Sequence, residues 1–405
     1  SKPTYSSGHP FQAMENPVEE PMSRLTRDLI AEILSRVPYK SLCICKCVCP
    51  AWRDLIADPV YRKKIVHSLT GFFYRITEEA AAFPGVNYAY LSAFPWASVP
   101  KTHPRLPLPP DSTDRVMSVD DSCDGLFLAR ISIGAGNFRY MVSNPATGEY
   151  TLLPHNGHAG NDSIAYLGFD SDASTEGFHV FEFAEDWSPP DHRGIQFQVV
   201  TQVRIYSSKT GAWVAMEPKW DSQVSLCFGQ PRVFRNGCLH LIGLSCFDAD
   251  VFGLAIVDAQ GLKWRIVPLP ANSFSGFIGK SHGHLFYVDS DTSLTTISVY
   301  TLSGEIYNWG VCHQDDDCIY WKLYKCSNVI PNKESLEVIG VHPHANLIFI
   351  AHSNNQVLAY DLDRQESTVV CHLGHTYHRF MQFFPYVPLL SCLPLDGGIR
   401  LVTPS

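Results

Sequence analysis

The chain has 405 residues, of which 45% are hydrophobic and 18% charged, and its formal net charge at pH 7 is −9. This length allows two or three domains with a sizeable apolar core. Residues 21–66 carry nine Lys and Arg against four Asp and Glu, so the remainder is strongly acidic. An acidic bulk argues against nucleic acid as a ligand, because phosphate binding requires a basic face. The apolar runs are also too short to span a membrane.

The cysteine content bears on the compartment. Thirteen cysteines are an odd number without the spacing of a disulfide framework, which favours a reducing environment. No charged-then-apolar leader opens the printed sequence, and we therefore expect the cytoplasm, the nucleus or both. The polar, patternless residues 1–20 are expected to be disordered.

The first patterned segment is helical. Pro38 is expected to end a first helix, a second is expected from Lys40 to Val48, and a third from Pro50. Three short helices bury little surface by themselves, so a partner is implied. The residues that place an apolar stripe on the first helix recur at four-residue steps and are Leu25, Leu29, Ile33 and Val37.

The order of these residues resembles a plant F-box over residues 21–66. Two positions depart from that family, which usually has proline at Thr26 and often arginine at Ile44. The alternative is an ordinary three-helix core segment. The matching pattern is Leu25-x-x-Asp28-Leu29-Ile30-x-Glu32-Ile33-Leu34-x-Arg36-Val37-Pro38-x-Lys40-Ser41-Leu42, then Lys46-Cys47-Val48-Cys49, Trp52, Leu55-Ile56 and Asp58-Pro59.

The resemblance implies a docking motif for the Skp-type adaptor of an SCF ubiquitin ligase and, through the adaptor, for a cullin and a RING subunit. A basic helical segment suits an acidic protein partner. The residues expected to bind the adaptor are Leu25, Leu29, Ile33, Leu34, Pro38, Lys40, Leu42, Val48, Trp52, Leu55 and Ile56.

Four cysteines alternate at Cys43, Cys45, Cys47 and Cys49, a density that suggests zinc. On a helix, however, alternate residues point to nearly opposite sides and cannot converge on one tetrahedral ion. Cysteine also packs as a small hydrophobe. We therefore expect neither a metal nor a disulfide at this run.

Beyond residue 66 the chain is rich in Gly, Pro, aromatics and short alternating runs, which indicates β-structure. Two turn signals interleave along it. A period near ~45 residues with about four strands is typical of propeller blades, and we expect six or seven of them. A β-sandwich is the alternative. The first signal is a strand–turn–strand unit at Gly148, Gly211, Gly261 and Gly304, and the second is a tight turn at Asp124-Gly125, Asn236-Gly237 and His282-Gly283.

Residues 67–405 resemble the F-box-associated domain that follows plant F-boxes. The chain is thus expected to be an α+β multidomain protein, in which a small three-helix F-box precedes a large all-β, propeller-like domain that recruits a client. The matching residues are Gly71-Phe72-Phe73-Tyr74, Ser122-Cys123-Asp124-Gly125-Leu126, Asn144-Pro145-x-Thr147, Leu153-Pro154 and Phe384-Pro385-Tyr386-Val387-Pro388.

No catalytic constellation stands out, and we expect no enzyme activity, cofactor or metal. His282-x-His284 and His342-x-His344 could each share a strand face, but no third ligand follows at a fixed spacing. Asp315-Asp316-Asp317 lacks the spacing of a calcium loop and is expected at a hairpin tip.

The best single candidate for client contact is the polar loop Ala184–Gly194, which lies between two alternating runs. Its candidate residues are Trp187, Pro189, Pro190 and His192, because tryptophan is a favoured hot-spot residue and prolines lower the entropy of ordering. The alternative is that Trp187 folds back over the edge of its own blade.

The sequence therefore predicts the substrate-recognition subunit of a cullin ligase, with the adaptor on the F-box and an unknown client protein on the β domain. Two rivals remain open. One is an adaptor-bound scaffold that sequesters its client without degradation, and the other is a propeller that binds a glycan or a small ligand.

Overall fold

The structure is a computed structural model, and it describes most of the patterned part of the chain. Residues 1–20, Asp315-Asp316-Asp317 and His192, on which three of the expectations rest, lie outside the described residues. The described residues are 25–37, 39–58, 69–75, 86–91, 106–107, 116–134, 137–156, 163–171, 177–190, 194, 196–226, 229–245, 251–271, 276–290, 296–303, 320–328, 336–374, 381–391, 393 and 401–402.

Three short helices open the described chain, as the apolar spacing predicts. They are α1 (Arg27–Ser35), α2 (Tyr39–Val48) and α3 (Pro50–Ala57). The side chain of Thr26 accepts a hydrogen bond from the Leu29 amide at 3.3 Å, so threonine serves the start of α1 where the family usually has proline. None of the helices in the described ranges combines the length and the apolarity that a membrane span requires.

The described residues form twenty-five β-strands. The first two are β1 (Gly71–Arg75) and β2 (Val86–Tyr90), followed by β3 (Val116–Cys123), β4 (Leu126–Gly134), β5 (Asn137–Asn144) and β6 (Glu149–Leu152). Next come β7 (Ile164–Gly168), β8 (His179–Trp187), β9 (Gln198–Ser207) and β10 (Ala212–Met216). The following group is β11 (Val224–Leu226), β12 (Arg232–Arg235), β13 (Cys238–Ser245), β14 (Val251–Asp258) and β15 (Trp264–Pro268). The last strands are β16 (Phe277–Ser281), β17 (His284–Ser290), β18 (Thr296–Ser303), β19 (Tyr320–Asn328), β20 (Leu336–Val341), β21 (Leu347–His352), β22 (Gln356–Asp361), β23 (Glu366–His372), β24 (Gln382–Tyr386) and β25 (Leu401–Val402).

These strands form six antiparallel sheets, so the described residues make a six-bladed propeller. Blade 1 is β3–β6 with β25 added outside β6, blade 2 is β7–β10 and blade 3 is β11–β15. Blade 4 is β16–β19 and blade 5 is β20–β23. Blade 6 combines β24 with β1 and β2, so the two ends of the domain close the ring together.

The innermost strands form the wall of a central channel. Contacts run from β3 to β7, then to β12, β16, β20 and β24, and return from β24 to β3. Apolar side chains from facing sheets fill the spaces between adjacent blades, and Phe73 of blade 6 packs edge-on against Phe127 of blade 1 with ring centroids 4.7 Å apart.

The predicted tight turns are confirmed by their backbone. Asp124-Gly125, Asn236-Gly237 and His282-Gly283 each have two consecutive residues with positive φ, from +44° to +88°. Such pairs form the two-residue hairpin turns that match the twist of the flanking strands. Each of these turns joins the innermost strand of its blade to the next strand: β3 to β4, β12 to β13 and β16 to β17. All three turns lie at the same end of the propeller.

Candidate functional site

An apolar surface on the helices is the first candidate site. Leu29 and Ile33 of α1 are each 51% exposed, while Ile44 and Val48 of α2 are 67% and 62% exposed. Each pair is four residues apart, so its two side chains lie on one side of its helix. Exposed large apolar side chains on two helices of so small a domain are typical of a surface for another protein.

The structure separates the expected adaptor-binding residues by burial. Leu29, Ile33 and Val48 lie on the exposed surface, and Leu25 and Trp52 are half-buried. Pro38 and the side chain of Lys40 lie outside what the structure describes. The remaining residues of the set are at most 3% exposed and form the helical core instead of a contact surface: Leu34, Leu42, Leu55 and Ile56.

Sequence reasoning missed Ile44, the most exposed apolar residue of the helices. Comparison with the F-box pattern marks this position only as one where arginine is frequent. Its spacing of four from Val48 on α2 is the signal that could have found it.

The propeller has two distinct faces, and the helices lie against one of them. The register pairs Gly71 with Tyr386, so the chain enters β1 and leaves β24 at the same end. The tight turns between first and second strands share that end. Connections between second and third strands, such as β8 to β9, therefore lie on the opposite face.

Trp187 ends β8 on this opposite face and is 62% exposed. The expected loop from Ala184 is thus shorter than predicted, because its first four residues continue the strand and pair with Gln198 through Gln202. The alternative that Trp187 folds back over its blade does not describe this structure. Pro189 and Pro190 are exposed beside it.

The backbone under Trp187 is held in place although its ring meets solvent. The Ser188 amide donates to the Phe197 carbonyl at 2.7 Å, and the Phe197 amide donates to Ser188 Oγ at 3.1 Å. Glu185 accepts a hydrogen bond from the Leu226 amide in blade 3 at 2.9 Å. An anchored strand end with an exposed aromatic ring is pre-organised for contact.

A cavity of about 220 Å³ lies on the propeller axis, lined by residues of the innermost strands. The charged side chains in its wall already have partners within the chain. Arg232 donates to Asp121 at 2.7 Å through Nε, and Lys280 Nζ lies 3.3 Å from Asp170. Its other walls are mainly apolar, including Phe277. The cavity therefore presents apolar surface and few unsatisfied polar groups.

A second polar cluster is buried between blades 1 and 2. Glu182 is fully buried and accepts hydrogen bonds from Tyr140, Ser163, Asn156 and Arg204 at 2.7 to 3.1 Å. Burial, followed by the charge of Glu182, raises the pKa of Tyr140. Four donors satisfy the carboxylate, which suits a structural link between blades.

Neither histidine pair belongs to a group of metal ligands in the described ranges. No three His, Cys, Asp or Glu side chains there are grouped to hold an ion. His342 Nδ1 accepts from the His344 amide at 3.0 Å. Burial, with His344 and His282 nearby, lowers the pKa of His342 to about 4.

Comparison with known proteins bears on both domains. A family model described as "F-box domain" matches residues 22–64, and one described as "F-box associated beta propeller domain" matches residues 97–383. "F-box protein At5g07610" of Arabidopsis thaliana is 26% identical over 71% of this chain and 70% of its own length. "F-box protein At2g17830" of Arabidopsis thaliana is 28% identical over 88% of this chain and 89% of its own. The crystal structure of a nidogen/laminin complex aligns over 80% of this chain with a TM-score of 0.42 and 10% identity.

Proposed function

This chain belongs to the F-box proteins that carry an F-box associated β-propeller domain, and from that premise we propose that it is the substrate-recognition subunit of an SCF-type cullin E3 ubiquitin ligase. The helices bind a Skp-type adaptor, which connects them to the cullin and the RING subunit. The propeller binds a client protein. The cytoplasm and the nucleus are the compartments in which we place this activity.

The observation that carries the proposal is the exposure of two apolar pairs on the helices, Leu29 with Ile33 and Ile44 with Val48. A free helical domain gains nothing from leaving four large apolar side chains in water, whereas a partner groove removes them from it. The excess of basic residues in residues 21–66 favours an acidic partner through complementary charge.

The proposed chemistry belongs to the other subunits and not to this chain. One polypeptide that holds both the adaptor and the client raises the effective concentration of the ubiquitin-loaded carrier at a client lysine. The client face is the one opposite the helices, where Trp187 is exposed. A client bound there lies on the opposite side of the propeller from the adaptor.

Adaptor capture tests the proposal. The double variant Leu29→Ala/Ile33→Ala removes two apolar anchors, each worth about 2 kcal/mol, so we expect adaptor affinity to fall by roughly three orders of magnitude. The matched control is Leu262→Ala, which truncates an even more exposed leucine of the propeller, 71% against 51% for Leu29. Undiminished adaptor binding by the double variant would rule out the proposed docking surface.

Degradation separates the ligase from an adaptor-bound scaffold. Proteins captured both by the full chain and by Leu29→Ala/Ile33→Ala bind without the adaptor and are the candidate clients, and their half-life should lengthen when the proteasome is inhibited. A half-life that does not respond would favour sequestration without degradation.

A further inference from the structure

The core of the helical domain is completed by a residue that follows the last inner strand of the propeller, β24. Leu390 is 4% exposed and packs in one cluster with core residues of all three helices, among them Leu34, Leu42 and Ile56. Lys46 Nζ on α2 donates to the Leu390 carbonyl at 2.9 Å across 344 positions of sequence. The core of the helices is therefore not built from the helices alone.

The segment that carries Leu390 is itself fixed to blade 1. Asn144, which is fully buried at the end of β5, donates from Nδ2 to the Leu389 carbonyl at 3.0 Å and to the Ser391 carbonyl at 2.9 Å. Two residues further on, the Leu393 amide donates to Glu149 Oε2 at 2.7 Å. Hydrogen bonds on both sides of Leu390 thus hold its backbone against the propeller.

The side chains around Leu390 alternate between the two domains. Leu389 and Leu393 pack into the propeller core between blades 1 and 2, while Leu390 points into the helices. Gly125 leaves the space through which the segment passes, since a Cβ there would lie 2.4 Å from the Val387 carbonyl oxygen. Its φ of +88° also disfavours any other residue.

We infer that residues 387–391, together with Leu393, are a bracket that completes the helical core and fixes the helices to blade 1, with Leu390 and Asn144 as positioning residues for ubiquitin transfer. This inference rests on the proposed function for its consequence, although the bracket itself does not. A fixed orientation keeps a client on the opposite face at one distance from the adaptor. Loss of the bracket lets the two domains reorient, so that the client lysine is presented to the ubiquitin carrier in many geometries.

Two leucine substitutions provide a matched pair. Leu390→Ala removes methyl groups from the helical core, whereas Leu239→Ala removes the same groups from a buried site between blades 2 and 3, in a cluster without any residue of the bracket. A third variant, Asn144→Ala, releases the bracket from within blade 1 without touching the helices. Leu390→Met preserves apolar volume and serves as the conservative rescue.

The first measurement requires neither a client nor a ligase. Spin labels attached through non-natural amino acids at exposed Arg53 on α3 and Asn354 on the opposite face report the distance between the domains in the full chain. We expect one narrow distribution in the parent protein, Leu239→Ala and Leu390→Met. Leu390→Ala and Asn144→Ala should broaden it. Unchanged distributions in both of these variants would overturn the bracket.

The second measurement uses a surrogate client, because the natural one is unidentified. A short epitope inserted in the turn Ser353–Asn355 binds a lysine-bearing single-domain antibody on the face opposite the helices. With the reconstituted ligase, we expect transfer to the lysine preferred by the parent to fall by roughly tenfold or more in Leu390→Ala and Asn144→Ala. Antibody binding should stay as in the parent.

The outcomes separate the two claims. If Leu390→Ala also loses adaptor capture while its propeller melts as before, the helices depend on Leu390 and the bracket is supported. If both variants transfer ubiquitin at the parent rate and to the same lysine, the positioning role is wrong. If the parent complex itself transfers none, the proposed function fails while the distance measurement still decides the bracket.

Discussion

Asp121 is a carboxylate enclosed by three blades. It lies in β3 at 1% exposure and accepts from Arg232 of blade 3, from the Leu167 amide of blade 2 at 2.6 Å and from the adjacent Ser122 amide at 2.5 Å. The Arg232 guanidinium also lies over the ring of Tyr166, 5.2 Å from its centroid. One residue therefore links the inner strands of three blades.

Removing this carboxylate should be costly, because Arg232 would then be buried without its charge partner. We expect Asp121→Ala to lower the free energy of unfolding by about 3–5 kcal/mol, measured by chemical denaturation. Adding Arg232→Met should recover part of the loss, since the double variant leaves no unpaired charge. A double variant less stable than Asp121→Ala would contradict this account.

His240 predicts a dependence of stability on pH. It is fully buried in β13, and its Nδ1 lies 3.1 Å from the Val233 carbonyl, so Nδ1 carries the hydrogen. Burial lowers the pKa of His240 from 6.5 to about 4. The unfolded chain therefore binds a proton in this range that the folded chain does not, and stability falls as the pH is lowered.

The contribution of His240 is complete above pH 6.5 and is lost as the pH falls towards 4. It amounts to about 3 kcal/mol at most, from 1.4 kcal/mol for each pKa unit. In His240→Asn the amide replaces Nδ1 as donor without titrating. The slope of unfolding free energy against pH should then be smaller by about one proton between these limits. An unchanged slope would show that His240 is not protonated on unfolding.

At the scale of elements, the connection from β8 to β9 joins an anchored backbone to an exposed tryptophan. Trp187 makes no packing contribution comparable to that of a buried ring, because 62% of its surface is in solvent. We expect Trp187→Ala to change the melting temperature little and to weaken client capture by ~2 kcal/mol or more. The matched control is Trp220→Ala, which removes a buried ring stacked on Phe183 and should lower the melting temperature. A fall in melting temperature without a loss of client capture in Trp187→Ala would refute client recognition at this site.

Helix α2 carries three of the four alternating cysteines and Cys49 follows its end, and the placement of the described side chains favours a structural role. Cys45 packs against the helical core and burial raises its pKa, while Cys47 lies on the exposed side and Cys49 precedes the first turn of α3. A thiol with a raised pKa is a poor metal ligand, because zinc binds the thiolate. Protein purified without chelators should show no stoichiometric zinc by elemental analysis. One zinc per chain that disappears in Cys45→Ser would contradict this prediction.

The sequence-based predictions were most accurate where the structure depends on neighbouring residues alone. The turns at Asp124-Gly125 and Asn236-Gly237 were predictable because two residues decide a hairpin of this kind. Inward and outward positions on the helices were not, because burial of Leu34 and Leu42 depends on Leu390, more than three hundred positions away. The extent of β8 was also missed, since polar Glu185 and Asp186 continue a strand whose pairing with β9 overrides their low strand preference.

At the scale of the whole molecule, the blade number was not predictable for a related reason. Five blades are formed by consecutive strands and repeat along the sequence. The sixth takes β24 from one end of the domain and β1 and β2 from the other, so neither end reads as a blade by itself. The ring closes by pairing Gly71 with Tyr386, without any covalent link between the strands.

Such a closure identifies the blade that opens most readily. Separating β1 from β24 undoes contacts between distant parts of the chain, and the freed ends regain much conformational freedom. Opening blade 2 would instead require four consecutive strands to leave both neighbours. We therefore expect hydrogen exchange in β1, β2 and β24 to proceed through a partial opening of lower free energy than exchange in β8 and β9.

Two phenylalanines test this expectation. Phe73 of blade 6 packs on Phe127 and Tyr386, whereas Phe183 of blade 2 stacks on Trp220 at a similar degree of burial. Phe73→Leu should cost roughly 2 kcal/mol and accelerate exchange in blade 6 selectively. Phe183→Leu should leave the opening of blade 6 almost unaffected. Leu390 follows β24 and completes the core of α1–α3. Phe73→Leu should therefore also accelerate exchange in these helices. Equal acceleration in every blade by both variants would mean that the ring opens only as a whole.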